Sequence, residues 1–343
     1  MASPSRYAKL VPRLRILRAG LLGERVRELG PGPAEALAAL RDTIYAPASE
    51  AKDAASFERA LARVYYSLVD EVASMSPDEG RPVVDALPRV RELEDLMTVA
   101  RSLAEVGRPP EWVPSVEWPR SALRKVLEEL EASPTLSRLF EAASQSPALR
   151  PHAAGASEAF GELKTPAAFT WYSFVGAASI VRSAVASASG VDRDQVERVL
   201  CPVLEGYAAQ GLVEAWALKA NPRVVTRALE GPEVCGIRWP SLASAYERGF
   251  GGELAPFVQE VAELFRYVRL EGRTPQEVMA SARRSWVNSA RRAADAAFSG
   301  YPFTPALAAA AIVLLTIDVD SVRLSVGSLL MGLRPEEFQQ AVP

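Results

Sequence analysis

The chain holds one histidine, His152, which limits the chemistry that its side chains can perform. We therefore expect no histidine-based catalytic triad, no histidine metal cage and no HExxH zinc site. His152 lies between Pro151 and Ala153 in a stretch that resembles a loop, so we interpret it as a surface residue.

The two cysteines and one glycine-rich cluster do not match the patterns of a metal site or a phosphate-binding loop. Cys201 and Cys235 lie 34 residues apart, with no second cysteine or histidine at a metal-ligand spacing, so we predict buried, reduced thiols in a cytosolic protein. The cluster Gly249-Phe-Gly251-Gly252 has neither the lysine nor the preceding strand of a phosphate-binding loop, so we interpret it as a connection between helices. We expect no cofactor, no metal and no nucleotide.

Carboxylates are scattered along the sequence. Asp318 and Asp320 could suggest an acidic metal motif, but residues two apart on a helix face different ways, so we predict a solvated helix face. The paired aspartate-rich motif DDxxD of all-helical terpene-type synthases does not occur. We expect no catalytic residues.

Arginines form the most suggestive cluster. Two pairs, Arg283-Arg284 and Arg291-Arg292, flank Trp286 and lie eight residues apart, near one face of a helix. An exposed helix with a partly buried tryptophan explains them, and a protein contact or a nucleic-acid stripe are the alternatives.

Aromatic residues between 169 and 174 could line a ligand pocket, but their helical register and short spacing favour core packing. They are Phe169, Trp171, Tyr172 and Phe174.

The composition is that of an ordered globular protein. Hydrophobic residues make up 49% and charged residues 24%, which excludes a mostly disordered chain. The formal net charge of -3 gives no global positive field for nucleic acid or an anionic membrane. Arginine outnumbers lysine 34 to 5, as in thermophiles that avoid thermolabile side chains, although a GC-rich genome gives the same bias.

Targeting and membrane signals are weak. The N-terminal sequence lacks the apolar run of a secretory signal, and the uncharged stretches 165–181 and 299–317 are shorter than a typical spanning helix. We expect a soluble protein that stays inside the cell, with those stretches as buried core helices.

Helical periodicity dominates the pattern. Apolar residues recur every three or four positions from Phe57 to Met75 and from Ile312 to Leu329, and no comparable run alternates as a strand does. Helix starts are expected after Ser76-Pro77, Thr165-Pro166 and Thr304-Pro305, where the hydroxyl could cap free amides. The sequence predicts an all-α fold.

A long predicted helix followed by a helix-ending glycine recurs at three places in the sequence. Each start is followed by a long helix and then a glycine, at Gly107, Gly190 and Gly332, with an acidic residue two to four positions later. The chain resembles a diverged triplicate. We predict three helical repeat units, 1–113, 114–198 and 199–343, the third with an insertion, and a loose connection at 144–162.

Four segments carry a resemblance to a known family. They are Tyr7–Leu22, Ala39–Tyr45, Arg91–Val113 and Asp318–Phe338, and the last resembles a family pattern of an acidic residue, an Asn-Leu-Arg-like triplet and a Gly-Leu-Pro-Pro-Glu-like stop. The chain resembles the C-type central-stalk subunits of archaeal A-type and V-type ATPases, whose vacuolar counterparts are the d-type subunits. Three positions depart from the family, which usually has Asn, Arg and Lys where this chain has Ser321, Gly327 and Leu329.

The resemblance implies three similar helical domains in a pseudo-threefold funnel between the central shaft and the membrane rotor ring. The chain would be a non-catalytic central-stalk subunit of a motor that couples ATP synthesis or hydrolysis to proton or sodium transport. Its partners would be the shaft subunits of D and F type and the ring, at the cytoplasmic face of the membrane, with no direct lipid or nucleic-acid contact. Arg101, Arg182 and Arg323 lie near equivalent points of the three repeats, so they are interpreted either as equivalent helix-packing or rim contacts or as ordinary surface arginines. Further candidates for a partner interface are Arg283, Arg284, Arg291 and Arg292.

An alternative from another class is a helical-repeat adaptor that binds some other protein through an apolar groove. It predicts an open, extended superhelix in place of a closed three-part body.

Overall fold

The structure, a computed structural model, describes residues 4–334 and is all-α over that range, as the sequence predicts. No strand occurs among these residues. Four short 3-10 helices (Gly23–Glu28, Ala46–Glu50, Asp78–Gly80, Pro114–Glu117) and a π-helical turn (Arg323–Gly327) accompany the α-helices. The α-helices are α1 (Pro4–Tyr7), α2 (Leu10–Gly20), α3 (Pro33–Ala39), α4 (Ala54–Met75), α5 (Arg81–Val106), α6 (Leu123–Leu130), α7 (Leu136–Gln145), α8 (Arg150–Leu163), α9 (Ala167–Ser187), α10 (Gly190–Ala217), α11 (Pro222–Leu229), α12 (Trp239–Gly249), α13 (Leu254–Ala262), α14 (Pro275–Ser299), α15 (Pro305–Val322) and α16 (Ser328–Leu330).

Five long helices form the centre of the molecule. α5 packs on α9, α9 on α10, α10 on α14, α14 on α15 and α15 on α5, which closes a cycle of pairwise contacts. Almost every residue of α15 is buried, since this helix also packs against α10, α2 and α4. A smaller apolar core, from Leu93 to Phe169, joins α6, α7 and α8 to one side of α5 and α9.

Three helix pairs are each joined by a short connection: α4 to α5, α8 to α9, and α14 to α15. Packed helices with such short connections run antiparallel. The predicted starts at Ser76-Pro77, Thr165-Pro166 and Thr304-Pro305 are confirmed, because the first two dipeptides lie in connections and Pro305 is the first residue of α15.

The hydroxyl caps expected at these starts do not form. Ser76 Oγ instead donates to the carbonyl of Val72 at the end of α4, and the Thr304 side chain makes no capping hydrogen bond. Proline has no backbone N–H, so each of these starts has one fewer amide that needs an acceptor. The helices therefore begin without a side-chain cap.

The predicted stops carry left-handed glycines. Gly107 follows α5 with φ 72° and Gly332 follows α16 with φ 79°, a conformation that favours glycine because it has no Cβ. At the middle position the order is different, because α9 ends at Ser187 and Gly190, with φ 57°, begins α10.

The division into units 1–113, 114–198 and 199–343 stays a prediction, and its second boundary falls within α10. Residues 335–338, the end of the last family-like segment, lie outside the described residues.

The loose connection predicted at 144–162 is wrong, because most of it is α8. Small buried residues, Ala153, Ala156 and Ala159, recur every third position and allow α8 to pack closely on its neighbours. The glycine cluster at 249–252 does connect two helices, α12 and α13, as predicted.

One helical stretch in residues 4–334, Pro305–Leu330, is long and apolar enough to cross a membrane, with a mean hydropathy of 1.8. The rest of the protein covers 94% of an apolar 18-residue segment within this stretch. It is the core helix that the sequence predicts for this region.

Candidate functional site

A polar pocket lies within the cycle of five helices. It has a volume of about 300 Å³ and is lined from all five helices and from the π-helical turn. Its polar lining residues are Arg91, Glu94, Tyr207, Gln210, Arg283, Thr316, Asp320 and Arg323. We call it the central pocket.

A chain of ion pairs crosses the central pocket. Arg91 Nη2 donates to Asp320 Oδ1 at 2.6 Å, and Arg323 Nη1 donates to the same oxygen at 3.4 Å. Arg323 Nε also donates to Glu58 Oε2 at 2.8 Å, which links α4 to the same network. Burial alone would raise the pKa of Asp320, but the two guanidinium groups outweigh it and lower that pKa, so Asp320 is held as the anion.

The pKa of Glu94 is shifted in the opposite direction to that of Asp320. Burial raises the pKa of this carboxyl to about 7, Arg91 counteracts the shift and the nearby Asp320 charge adds to it. Tyr207 donates its hydroxyl hydrogen to Glu94 Oε1 at 3.2 Å. The pocket therefore contains one carboxylate that stays charged and one carboxyl that gains or loses a proton near neutral pH.

Helices α5 and α15 run parallel and meet in register. Gly80 adjoins Pro305, since a Cβ at Gly80 would lie 3.4 Å from that proline's Cβ, and Arg91 Nη2 donates to the Thr316 carbonyl at 3.3 Å. Both contacts join residues 225 positions apart, which is also the spacing of Gly107 and Gly332. These two contacts therefore have the spacing of the predicted helix stops in the first and third repeats.

Helix α9 meets α5 at the corresponding level. A Cβ at Gly176 would lie 2.6 Å from Leu93 Cδ2, and these residues are 83 positions apart, the spacing of Gly107 and Gly190. This contact likewise has a spacing that the predicted repeats give.

A proton-binding carboxyl and fixed charges are what the central pocket can offer chemically. Among the described residues, no serine, cysteine or histidine lines it. Across residues 4–334, no group of three or more His, Cys, Asp and Glu side chains is placed to hold a metal ion. The arrangement is suited to joining helices at a fixed register.

The matched arginines have three different environments. Arg101 is exposed, with Glu105 at 4.0 Å. Arg182 is buried, donates to the carbonyls of Leu229 and Glu230, and lies over the ring of Trp239, so it serves packing. Arg323 belongs to the central ion-pair network.

The arginine cluster of α14 is distributed over several cavities, and Arg291 also lines a small cavity beside Asp318. Arg283 lines the central pocket beside Trp286, whereas Arg284, Arg291 and Arg292 line a separate groove. The four aromatic residues predicted to pack in the core do so only in part. Phe169 and Trp171 are buried, while Tyr172 and Phe174 are half-buried and border cavities.

Three sequence-based interpretations are wrong. His152 is not a surface residue: it is buried on α8, and burial lowers the pKa of its imidazole to about 4. Asp318 and Asp320 do not form a solvated face, because Asp318 is buried and Asp320 is paired within the central pocket. Cys201 and Cys235 are not reduced thiols but form a disulfide, with Cα atoms 5.5 Å apart.

The physical reason in each case is long-range packing. Asp318 accepts hydrogen bonds from Leu22 N at 2.9 Å, Gly23 N at 2.6 Å and the Tyr45 hydroxyl at 2.6 Å, all nearly 300 positions away along the chain. Burying a carboxylate is tolerable only when such donors replace water.

Arg91, Glu94 and Tyr207 were missed by sequence reasoning. A signal existed for Glu94 alone, because Glu94-Asp-Leu96-Met97 and Asp320-Ser-Val322-Arg323 both place an acidic residue ahead of a predicted helix stop. Tyr207 comes from α10, and nothing in its local sequence marks it.

No family model matches the chain, and no curated protein matches it.

Proposed function

We propose that this chain is a non-catalytic central-stalk subunit of an A-type or V-type rotary ATPase. It is a rotor socket that couples the central shaft to the ion-translocating membrane ring. The proposal rests on the resemblance of the four segments to the C-type central-stalk subunits and on the geometry of α5, α9 and α15.

The observation that carries the proposal is the meeting of equivalent residues. Gly80 with Pro305 and Arg91 with Thr316 have the repeat spacing of 225, and Leu93 with Gly176 has the repeat spacing of 83. In the proposal, three repeats arranged about one axis would build a three-part body. Such a body suits a part that stands on the axis of a rotor, and the three-part funnel belongs to this proposal.

Stiffness is the mechanical requirement of torque transmission. Packed helices have low compressibility because protein interiors approach crystalline density. The central ion pairs add cross-links between helices from distant parts of the chain, for example Arg91 to Asp320 and Arg323 to Glu58. In this function the charges of the central pocket hold the repeats together, and no bond of a substrate is made or broken.

Location and partners follow from the function. The protein would lie at the cytoplasmic face of the membrane, reaching it only through the ring, and would contact shaft subunits of D and F type. The exposed Arg101 and the groove arginines Arg284, Arg291 and Arg292 are the candidates for these contacts.

The decisive experiment mixes the purified chain with the shaft subunits encoded in the same genome and records native mass spectra over a series of salt concentrations. We expect a one-to-one complex with the shaft. The detergent-solubilised ring is tested in parallel, with the individual shaft subunits as controls for the stoichiometry.

Absence of a complex with both the shaft and the ring would contradict the proposal and leave the helical-repeat adaptor as the remaining interpretation. A circular dichroism spectrum of the same sample with the helix content of the structure would show that the chain was folded when it failed to bind.

A further inference from the structure

A basic groove runs beside α14, outside the central pocket. It lies between α14 and the extended segment 266–271 and has a volume of about 730 Å³. Two glutamates, Glu24 and Glu271, are its acidic residues. The arginines that line it are Arg266, Arg269, Arg284, Arg291 and Arg292.

The groove is held in shape by a ladder of serines. Ser281, Ser285 and Ser289 recur every fourth residue and therefore share one face of α14. Ser285 Oγ and Ser289 Oγ donate to the Tyr267 carbonyl at 3.3 and 3.0 Å, and Ser281 Oγ donates to the Arg269 carbonyl at 3.4 Å. These hydrogen bonds fix the segment that carries Arg266 and Arg269 along the helix.

Glu205 holds the same segment from the protein interior. This buried carboxylate of α10 accepts from Tyr267 N at 2.5 Å. Val268 and Leu270 point into the core, which leaves Arg269 between them exposed. The walls of the groove are thus set before any partner binds, which lowers the entropic cost of binding.

Among the described residues, two glutamates against five arginines leave the groove with an excess of positive charge. None of its five arginines forms an ion pair with a residue in 4–334, whereas Arg13, Arg120 and Arg138 elsewhere each do. The whole chain has a net charge of -3, so this excess of positive charge is local. Five guanidinium groups around one concavity repel each other, and an anionic partner would remove that repulsion.

We propose that this groove binds a carboxylate-rich segment of a partner protein. Arginine guanidinium groups bind carboxylates through paired, parallel hydrogen bonds, and the rigid fork geometry gives specificity as well as charge. The proposal does not depend on the rotary function, since it concerns the chemistry of the groove alone.

Other polyanions fit the groove less well. Single-stranded nucleic acid needs free aromatic faces for stacking. Within residues 4–334 the only aromatic residue of the lining is Tyr267, and Arg266 lies over its ring at 5.2 Å. A lipid surface needs apolar side chains that insert between the acyl chains, and the described part of the chain contributes no aliphatic side chain to the lining.

The test uses the full chain and a fluorescein-labelled peptide of alternating glutamate and serine, with binding followed by fluorescence anisotropy. We expect binding that weakens as salt rises. Reversing two exposed groove charges in Arg284→Glu/Arg292→Glu is expected to weaken it about tenfold. The milder Arg284→Gln/Arg292→Gln variant should weaken it in the same direction.

A matched control reverses two exposed arginines away from the groove, in Arg198→Glu/Arg223→Glu, with the same change in net charge. Its affinity for the peptide should stay close to that of the wild type. Equal losses in the two reversed variants, or no binding of the glutamate peptide at low salt, would overturn the proposal. Tighter binding of a labelled single-stranded DNA or of phosphatidylglycerol vesicles than of the peptide would also overturn it.

Discussion

Arg91 on α5 and Asp320 on α15 form an ion pair, 2.6 Å between Nη2 and Oδ1, across the central pocket. Their side chains are only 11% and 29% exposed, and the guanidinium also lies over the Tyr65 ring at 4.7 Å. The pair joins two helices that are more than 200 positions apart in the sequence, so it contributes to the register of the central helices.

Removing one member of this pair should destabilise the fold. Arg91→Met leaves Asp320 with Arg323 alone in a desolvated place, and breaking such a pair from one side costs about 3 kcal/mol. Urea unfolding measures the change in free energy. The control, Arg101→Met, removes an exposed pair and should cost less than about 1 kcal/mol.

A double variant separates the contribution of the Arg91–Asp320 pair from the cost of leaving one buried charge unpaired. Arg91→Met/Asp320→Leu should recover part of the loss, because no charge is left unpaired. A cost of Arg91→Met no larger than that of Arg101→Met would contradict the buried role of the pair.

The protonation of Glu94 should make stability depend on pH. Its pKa is about 7 in the folded chain against the ordinary 4.5, so between these values the folded state binds a proton that the unfolded state has lost. The free energy of unfolding therefore falls as pH rises from about 4.5 to about 7, by on the order of 1 to 3 kcal/mol.

Glu94→Gln should flatten that decline, since the amide keeps the hydrogen bond from Tyr207 without titrating. Urea unfolding at a series of pH values measures how the free energy of unfolding depends on pH. The exposed variant Glu105→Gln serves as the comparison. Burial raises the pKa of Glu205 to about 7 as well, so a decline of the same sign remains in Glu94→Gln. An unchanged slope in that variant would contradict the assignment.

Asp318 should anchor the segment that follows α2. Asp318→Ala leaves the amides of Leu22 and Gly23 and the Tyr45 hydroxyl without their acceptor, and a buried donor without a partner costs about 1 to 3 kcal/mol. We expect faster hydrogen exchange at the two amides and earlier tryptic cleavage at Arg25.

The matched control is Asp295→Ala, which removes a partly exposed carboxylate paired with Arg18. It should leave the exchange rates of Leu22 and Gly23 unchanged. Slow exchange of both amides in Asp318→Ala would show that other groups hold this segment.

The disulfide should contribute stability by restraining the unfolded chain. Cys201 and Cys235 close a loop of 34 residues, for which loop-closure entropy gives about 3 to 4 kcal/mol. Dithiothreitol should lower the urea midpoint of the wild type and leave that of Cys201→Ala/Cys235→Ala unchanged. Alkylation of both cysteines in unreduced, denatured protein would contradict the bridge.

Local patterns predicted the helices well. The apolar spacing from Phe57 to Met75 corresponds to α4 (Ala54–Met75), and three Ser/Thr-Pro dipeptides mark three true connections. These features depend on neighbours within a few residues, which is why the sequence reveals them. The segment at 144–162 failed because its Ser, Ala, Pro and Gly content resembles a loop, while packing of its alanines favours α8.

Little of the candidate site could be predicted from the sequence. Arg323 was predicted from its place in the repeat, but its partner Asp320 was interpreted as solvated. Its other partner, Glu58, and the pocket residues Arg91, Glu94 and Tyr207 were not predicted. Side chains that meet from five helices leave no common spacing in the sequence. Only the repeat distance of 225 residues hinted that positions near 91 and 316 would come together.

By itself the sequence determined the all-α class, the long central helices and the positions where several of them begin and end, because periodicity, proline and glycine act locally. Tertiary structure alone decided that Asp318 and Asp320 are buried, that His152 lies inside, that Cys201 meets Cys235, and that the arginines of α14 line several cavities. The reason is that burial and pairing depend on which distant segments pack together. A carboxylate or a thiol has the same local sequence whether its neighbour is water or another helix.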